Sequence, residues 1–211
     1  MYLSRIKLNT SSRKTLQALA SPNLFHGAIE ISETGERTRK LWRIDTLRRE
    51  QYLLILSENK LDLSSVAVQF GYNAEYECKS YDGLLGRIVN GSKWQFRLRA
   101  NPTIQVKTDS SSKGRGKVLA HITTTYQEEW LRRQSEKHGF SLAEGEWLVT
   151  ETKWFKFKRN KEQKNSVQML SVVFEGVLTV TDADAFRNAL VNGIGREKAY
   201  GMGLLTIAGV K

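Results

Sequence analysis

The strongest constraint on this chain is an order of elements that it runs through twice. Tyr2 to Leu8 alternates as a strand does, with Tyr2, Ser4, Ile6 and Leu8 on one face. After a polar turn a helix starts near Arg13, with Leu16 and Leu19 spaced by three. Ser21-Pro22 restarts it, because serine suits a helix cap and proline the first helical position. The second piece, Asn23 to about Ile31, is expected to turn Leu24, Ala28 and Ile31 inward. Lys40 to Asp45 and Gln51 to Ser57 read as strands, the second apolar enough to be buried on both faces. A short helix within Leu61 to Phe70 and a strand from Glu75 to Ser80 complete the order β-α-β-β-α-β.

Gly83, Gly86 and Gly91 mark the connection to a second set. Trp94 to Arg99 alternates apolar residues with Gln95, Arg97 and Arg99. Thr103 to Lys117 is polar and reads as a hairpin tip or arm. A helix follows from Thr125 to Lys137, where Thr125 and Glu128 have capping-box spacing and Tyr126 and Trp130 face the core as i,i+4 partners. Strands at Trp147 to Lys158 and Gln168 to Val180, a helix at Asp182 to Val191 and a strand at Leu204 to Ala208 repeat β-α-β-β-α-β. The expected fold class is α+β, two tandem ferredoxin-like (RRM-like) domains, residues 1–88 and 93–211. RNA-recognition modules use the same sheet, although a scaffold alone specifies no function.

Between the last helix and the last strand runs Gly193-Ile194-Gly195-Arg196-Glu197-Lys198-Ala199-Tyr200-Gly201-Met202-Gly203. Glycines at 193, 195, 201 and 203 weaken any helix or strand and suit backbone that turns sharply or lies against a ligand. Such a loop either forms a concave nest of N–H groups for an anion, with Arg196 and Lys198 adding charge, or is a plain turn before a final strand.

Charge points to the class of partner. The formal net charge is +11, the electrostatic footprint of a polyanion binder. The basic residues cluster. Arg37, Arg39, Lys40 and Arg43 form one group, and Lys107, Lys113, Arg115 and Lys117 a second. Lys153, Lys156, Lys158, Arg159 and Lys161 form a third, interleaved with Trp154, Phe155 and Phe157. On a strand Lys156 and Lys158 share one face while Phe155 and Phe157 share the other. That suits a hairpin anchored to the core and holding cations against phosphates; the competing reading is an edge strand guarded by lysines. With a single cysteine, Cys78, neither an internal disulfide nor a Cys/His metal cluster is expected, and no apolar run reaches membrane-spanning length. The expectation is a cytoplasmic protein, monomeric when free, with no cofactor and no metal.

Of three histidines, His138 falls at a helix end where the dipole favours a cation and reads as structural, and His121 has no evident partner. His26 sits in a helix beside Gly27, which is costly there and leaves space next to the imidazole. Imidazole moves protons near neutrality, and RNA carries its own nucleophile in the 2′-hydroxyl, so one histidine with nearby cations suffices for chain cleavage.

Several segments together resemble one family. They are Met1-Tyr2-Leu3-Ser4, Ser21-Pro22 with His26, Phe96-Arg97-Leu98-Arg99-Ala100-Asn101-Pro102, Phe174-Glu175-Gly176, and the glycine loop through Leu205. In this order over nearly the whole chain they resemble the CRISPR-associated repeat-RNA endoribonucleases of type I-E systems, the CasE (Cse3) family. The resemblance implies binding of the repeat stem-loop in a CRISPR precursor transcript. It implies metal-independent cleavage to a 2′,3′-cyclic phosphate, and retention with the other subunits of the Cascade surveillance complex. It places the active-site histidine on His26, the RNA-gripping hairpin on Lys156 to Arg159, and the arm on Lys107 to Lys117. The chain has Asn23 where some relatives have tyrosine, and Gly27 and Glu30-Ile31 where some have basic residues. Arg37, Arg39 or Lys40 then stand in as phosphate contacts, with Arg97, Arg99 and Lys198 as further RNA-binding candidates. The alternative is a non-catalytic hairpin-binding subunit of the same complex; a general nucleic-acid binder of ribosomal type is a third reading.

Overall fold

The computed structural model describes residues 1–33, 37–106, 116–158 and 166–210. In the first half, β1 (Tyr2–Lys7), β2 (Lys40–Leu47), β3 (Glu50–Ser57) and β4 (Glu77–Ser80) form an antiparallel sheet in the order β2-β3-β1-β4. Helices α1 (Arg13–Ala20), α2 (Asn23–Ile31) and α3 (Ser64–Phe70) pack on one face of it, and α4 (Asp82–Leu85) leads out. Ser4, Ile6 and Leu8 are buried as the alternation predicts.

The second half repeats the arrangement. The strands β5 (Lys93–Ala100), β9 (Trp147–Lys158), β10 (Ser166–Val180) and β11 (Leu205–Gly209) lie in the order β11-β5-β10-β9, with the short β8 (Phe140–Ser141) also on β10. Helices α5 (Thr124–Lys137) and α6 (Ala183–Asn192) complete the βαββαβ unit, and β6 (Thr103–Val106) pairs with β7 (Lys117–Ala120) as a separate ribbon. The expected α+β class with two ferredoxin-like units is the fold observed.

Two helices bury a different stripe from the one expected. In α1 Thr15 and Ala18 are buried while Leu16 is half exposed; the Thr15 hydroxyl is satisfied by donating to the Phe70 carbonyl at 2.9 Å. In α2 Phe25 and Ile29 are buried, and Leu24 and Ile31 are exposed. Adjacent stripes of that helix are both apolar, so spacing cannot choose between them; the aromatic one wins through Phe70 at 4.7 Å and Trp42 at 5.6 Å between ring centroids. Ser21 supports the start of α2 through its carbonyl, which accepts from Leu24 N at 3.0 Å, and not through its hydroxyl. Helix α5 starts after Thr123, so the Thr125–Glu128 box does not form. Its inward face carries Gln127, Trp130 and Leu131, leaving Tyr126 exposed. Burying Gln127 is tolerated because its amide donates to the carbonyls of His121 and Ile122, both at 3.0 Å.

The halves share buried surface. Leu41 and Leu56 of the first sheet belong to one apolar cluster with Phe96, Leu98, Trp130 and Leu205 of the second. Arg43 crosses between them, its side chain 1% exposed. It donates to both oxygens of Asp45 at 2.7 and 2.6 Å, to the carbonyls of Arg97 at 2.7 Å and Leu204 at 2.8 Å, and to the Thr206 hydroxyl at 2.7 Å. Burial alone would raise the Asp45 carboxyl; the hydrogen bonds and charge of Arg43 outweigh that and hold it below the ordinary range.

Candidate active site and nucleic-acid interface

His26 is the most distinctive group on the surface of the first half. Pro22 adopts helical dihedrals (φ −56°, ψ −22°) and its carbonyl accepts from His26 N at 3.2 Å, so the imidazole stands one turn above the helix start. Because α2 is fixed from below by Phe25 and Ile29, the His26 side chain is held outward and is 39% exposed. Its Nδ1 lies 3.9 Å from Oε1 of Glu30, one turn further on. A Cβ added at Gly27 would meet nothing within 4 Å, so the space expected beside the imidazole is present.

Glu30 is a hub. Besides His26 it faces Arg37 Nε at 3.4 Å and Lys40 Nζ at 3.6 Å. Lys40 does not serve as a surface cation: its side chain is 1% exposed and its ammonium sits 2.5 Å from Glu33. Burial would raise the Glu33 carboxyl, but hydrogen bonds from Lys40 and Thr38 prevail and bring it down to about 2. Arg43, grouped with these cations by sequence, is the buried tie described above. Arg37 is exposed, and Arg39 reaches Asn192 of α6 at 3.1 Å.

The glycine loop abuts the same helix, since its 3-10 turn Lys198–Tyr200 packs on α2 and β2. Gly193, Gly195, Gly201 and Gly203 all have positive φ. At Gly201 a Cβ would come within 2.7 Å of the Trp42 ring, and at Gly193 within 2.8 Å of the Gly203 carbonyl. Close packing therefore explains these two glycines without a ligand. The loop also borders a 380 Å³ cavity with Arg196, Lys198, Lys137 and His138 on its walls. Burial pushes the Lys198 ammonium down, with help from Arg39. Burial also pushes His138 down, followed by the charges of Lys137 and Lys198, so the cation expected at that helix end is disfavoured.

On β9, Lys153, Lys156 and Lys158 are exposed. Phe157 is buried against Tyr200 at 5.0 Å between centroids, in a cluster with Met169 and Met202, which ties the hairpin to the glycine loop. The alternation of anchoring rings and outward lysines is thus as expected. Lys117 lies on the β6–β7 ribbon. Lys107, Lys113, Arg115, Arg159 and Lys161 lie outside the described residues. Arg97 and Arg99 of β5 meet carboxylates mainly of their own sheet: Arg97 pairs with Glu175 of β10 at 2.8 Å and with Asp45 of β2 at 3.7 Å, and Arg99 with Glu151 of β9 at 3.8 Å. Among the described residues no group of three or more His, Cys, Asp or Glu side chains is placed to hold a metal ion, and no helix is long and apolar enough to cross a membrane.

The whole arrangement has relatives. A family model described as CRISPR associated protein matches residues 1–209. The CRISPR-associated endoribonuclease Cse3 of Thermus thermophilus is 30% identical over 219 residues, spanning 99% of this chain and 100% of its own. The chain belongs to the CasE/Cse3 family of CRISPR-associated proteins. The Cascade subunit CasE of Escherichia coli is 34% identical over 118 residues, 54% of this chain and 56% of its own. The structure of CRISPR endoribonuclease Cse3 bound to a 19-nucleotide RNA superposes with a TM-score of 0.81 at 28% identity, covering 99% of this chain and 100% of that one. Within that family, sequence reasoning missed Glu30, which appeared only as a departure from the basic residues of some relatives. Its signal was the i,i+4 spacing from His26.

Proposed function

We propose that this CasE/Cse3 chain is an endoribonuclease that binds the repeat stem-loop of CRISPR precursor RNA, cuts it, and stays with the product as a subunit of Cascade. Residues 1–88 supply the catalytic histidine and residues 93–211 most of the RNA grip, and the work is done in the cytoplasm, where the transcript is. The observation that carries the reading is the outward imidazole of His26 at the seam with the glycine loop, in a full-length relative of a named endoribonuclease.

The geometry supports the following route. Glu30 stands on the Nδ1 side of His26, 3.9 Å away, and Nε2 is the nitrogen left to meet the RNA. Nε2 takes the proton of a 2′-hydroxyl; that oxygen attacks the adjacent phosphorus, and the bond from phosphorus to the 5′-oxygen breaks. The products are a 2′,3′-cyclic phosphate and, once the leaving oxygen is protonated, a 5′-hydroxyl. Arg37, which faces Glu30, and Lys198, on the turn packed against α2, supply cations to balance the charge that grows on the phosphate, and Lys156 and Lys158 hold the stem. This route needs no metal.

The test is a cleavage assay on the cognate repeat hairpin in excess EDTA. Wild type cuts; His26→Ala retains binding and loses about 10²–10⁴-fold in rate; a 2′-deoxy nucleotide at the cut site abolishes product. Equal rates for wild type and His26→Ala would remove His26 from the mechanism. Binding without product in every lane would make the chain a non-catalytic hairpin-binding subunit.

A further inference from the structure

The seam between the halves contains a cavity of 280 Å³ one helical turn from His26. Pro22, at the N-terminal end of α2 and on the His26 face, forms part of its rim. It is smaller than the sites of about 300–1,000 Å³ that enclose drug-sized molecules, and suits one flat ring system. Phe25, Trp42 and Phe155 give it aromatic walls, and Gln51, Arg99 and Glu151 give it polar ones.

Three polar atoms here have no hydrogen-bond partner among the described residues although they are shut off from solvent: the indole N–H of Trp42, Oε1 of Gln51 and Nε of Arg99. Leaving such groups unpaired away from water is costly, and a ligand that hydrogen-bonds to them removes that cost. Arg99 and Glu151 stand in one cross-strand row, both opposite Val173 of β10, so they project from the same face of the sheet. Their closest approach, 3.8 Å, leaves both groups open to another partner. The register of β9 shifts beside Glu151, a bulge of the kind that re-aims a side chain toward a site.

We propose that this cavity is a nucleobase pocket that takes an unpaired guanine of the bound RNA. The inference rests on the endoribonuclease reading and adds a specificity site to it. A guanidinium donates to O6 and N7 of guanine. A carboxylate accepts from N1–H and the 2-amino group on the neighbouring edge. No other base presents that pair of edges: adenine has no O6 acceptor, uracil turns carbonyls toward the carboxylate, and cytosine has the amino group but is a single ring. Phe155, the one of these three rings that is only partly buried, stacks on the base, as rings do in single-strand readers. Lys153, on the same face as Phe155, meets the nucleotide's phosphate.

The test uses the cognate repeat hairpin with its single-stranded flanks, placing guanine, inosine or 7-deazaguanine at each unpaired position in turn. One position is expected to lose about tenfold or more in affinity when inosine removes the 2-amino group. Glu151→Gln should erase that difference while still binding the hairpin, and Arg99→Lys should erase the penalty for 7-deazaguanine instead. Inosine tolerated within twofold everywhere, or variants that weaken all RNAs alike, would overturn the pocket. A wild type that neither binds nor cuts the unmodified hairpin would fail the endoribonuclease reading; one that does both and ignores the base would fail only this inference.

Discussion

Strands β2 and β9 are both rich in cations and put them to opposite uses. On β2, Lys40 and Arg43 turn inward, and each meets a carboxylate: Glu33 from beyond α2 for Lys40, Asp45 two residues on for Arg43. On β9, Lys156 and Lys158 stand in solvent with no ion pair to a described residue, while Phe155 and Phe157 hold the strand down from the other face. The same side chains therefore weld the molecule in one place and remain available to a polyanion in the other. What decides is the neighbour: an acid within reach on a buried face, or an aromatic ring at the alternate position.

The hardest way to break this contrast is Arg43→Ala. It strands the buried Asp45 carboxylate and two carbonyls, and should cost about 3–5 kcal/mol in urea unfolding while leaving the salt dependence of RNA binding unchanged. The reciprocal experiment is Lys156→Ala with Lys158→Ala. Stability should stay within about 0.5 kcal/mol. The slope of log affinity against log salt should flatten by roughly 0.7–0.9 for each lysine removed. A large stability loss in the second pair, or a salt effect in the first, would erase the distinction.

A gentler probe is pH. Glu33 releases its proton more readily folded than unfolded, so its contribution is complete above the ordinary value of 4.5 and drains away as pH falls toward about 2. Glu33→Gln should flatten the acid limb of a thermal melt over that interval, and Lys158→Ala should not. The smallest effect belongs to Gly27→Ala. The added methyl meets nothing, and α2 should gain up to about 1 kcal/mol. If cleavage falls while stability rises, the space beside His26 is kept for RNA.

Much of this was legible in the chain. Alternation placed most of the strands, because Tyr2–Lys7 and Lys93–Ala100 each bury one face only. The lysine-and-ring pattern of β9 was legible for the same reason. Helix faces were harder: where Leu24 and Phe25 are neighbours, both stripes are apolar and only the partners Phe70 and Trp42 decide. Charge was least legible. Arg37 and Arg43 look alike in one cluster, yet one side chain is 80% exposed and the other 1%. Nothing local announces that Arg97 and Leu204 will offer carbonyls to the second. The unpaired indole N–H of Trp42 was equally hidden, since it depends on what the other half of the chain fails to supply.

The Arg43 tie has a consequence for synthesis. Its carbonyl partner at Leu204 is 161 residues downstream. At about 5–20 residues per second a ribosome needs roughly ten to thirty seconds to cover that distance. Throughout that interval the first half exists with its arginine held by Asp45 but without the Leu204 carbonyl, and with its share of the seam, Leu41 and Leu56, bare to water. The nascent chain is thus exposed to chaperones and proteases until its last strand emerges, and a truncation before β11 should be cleared instead of accumulating.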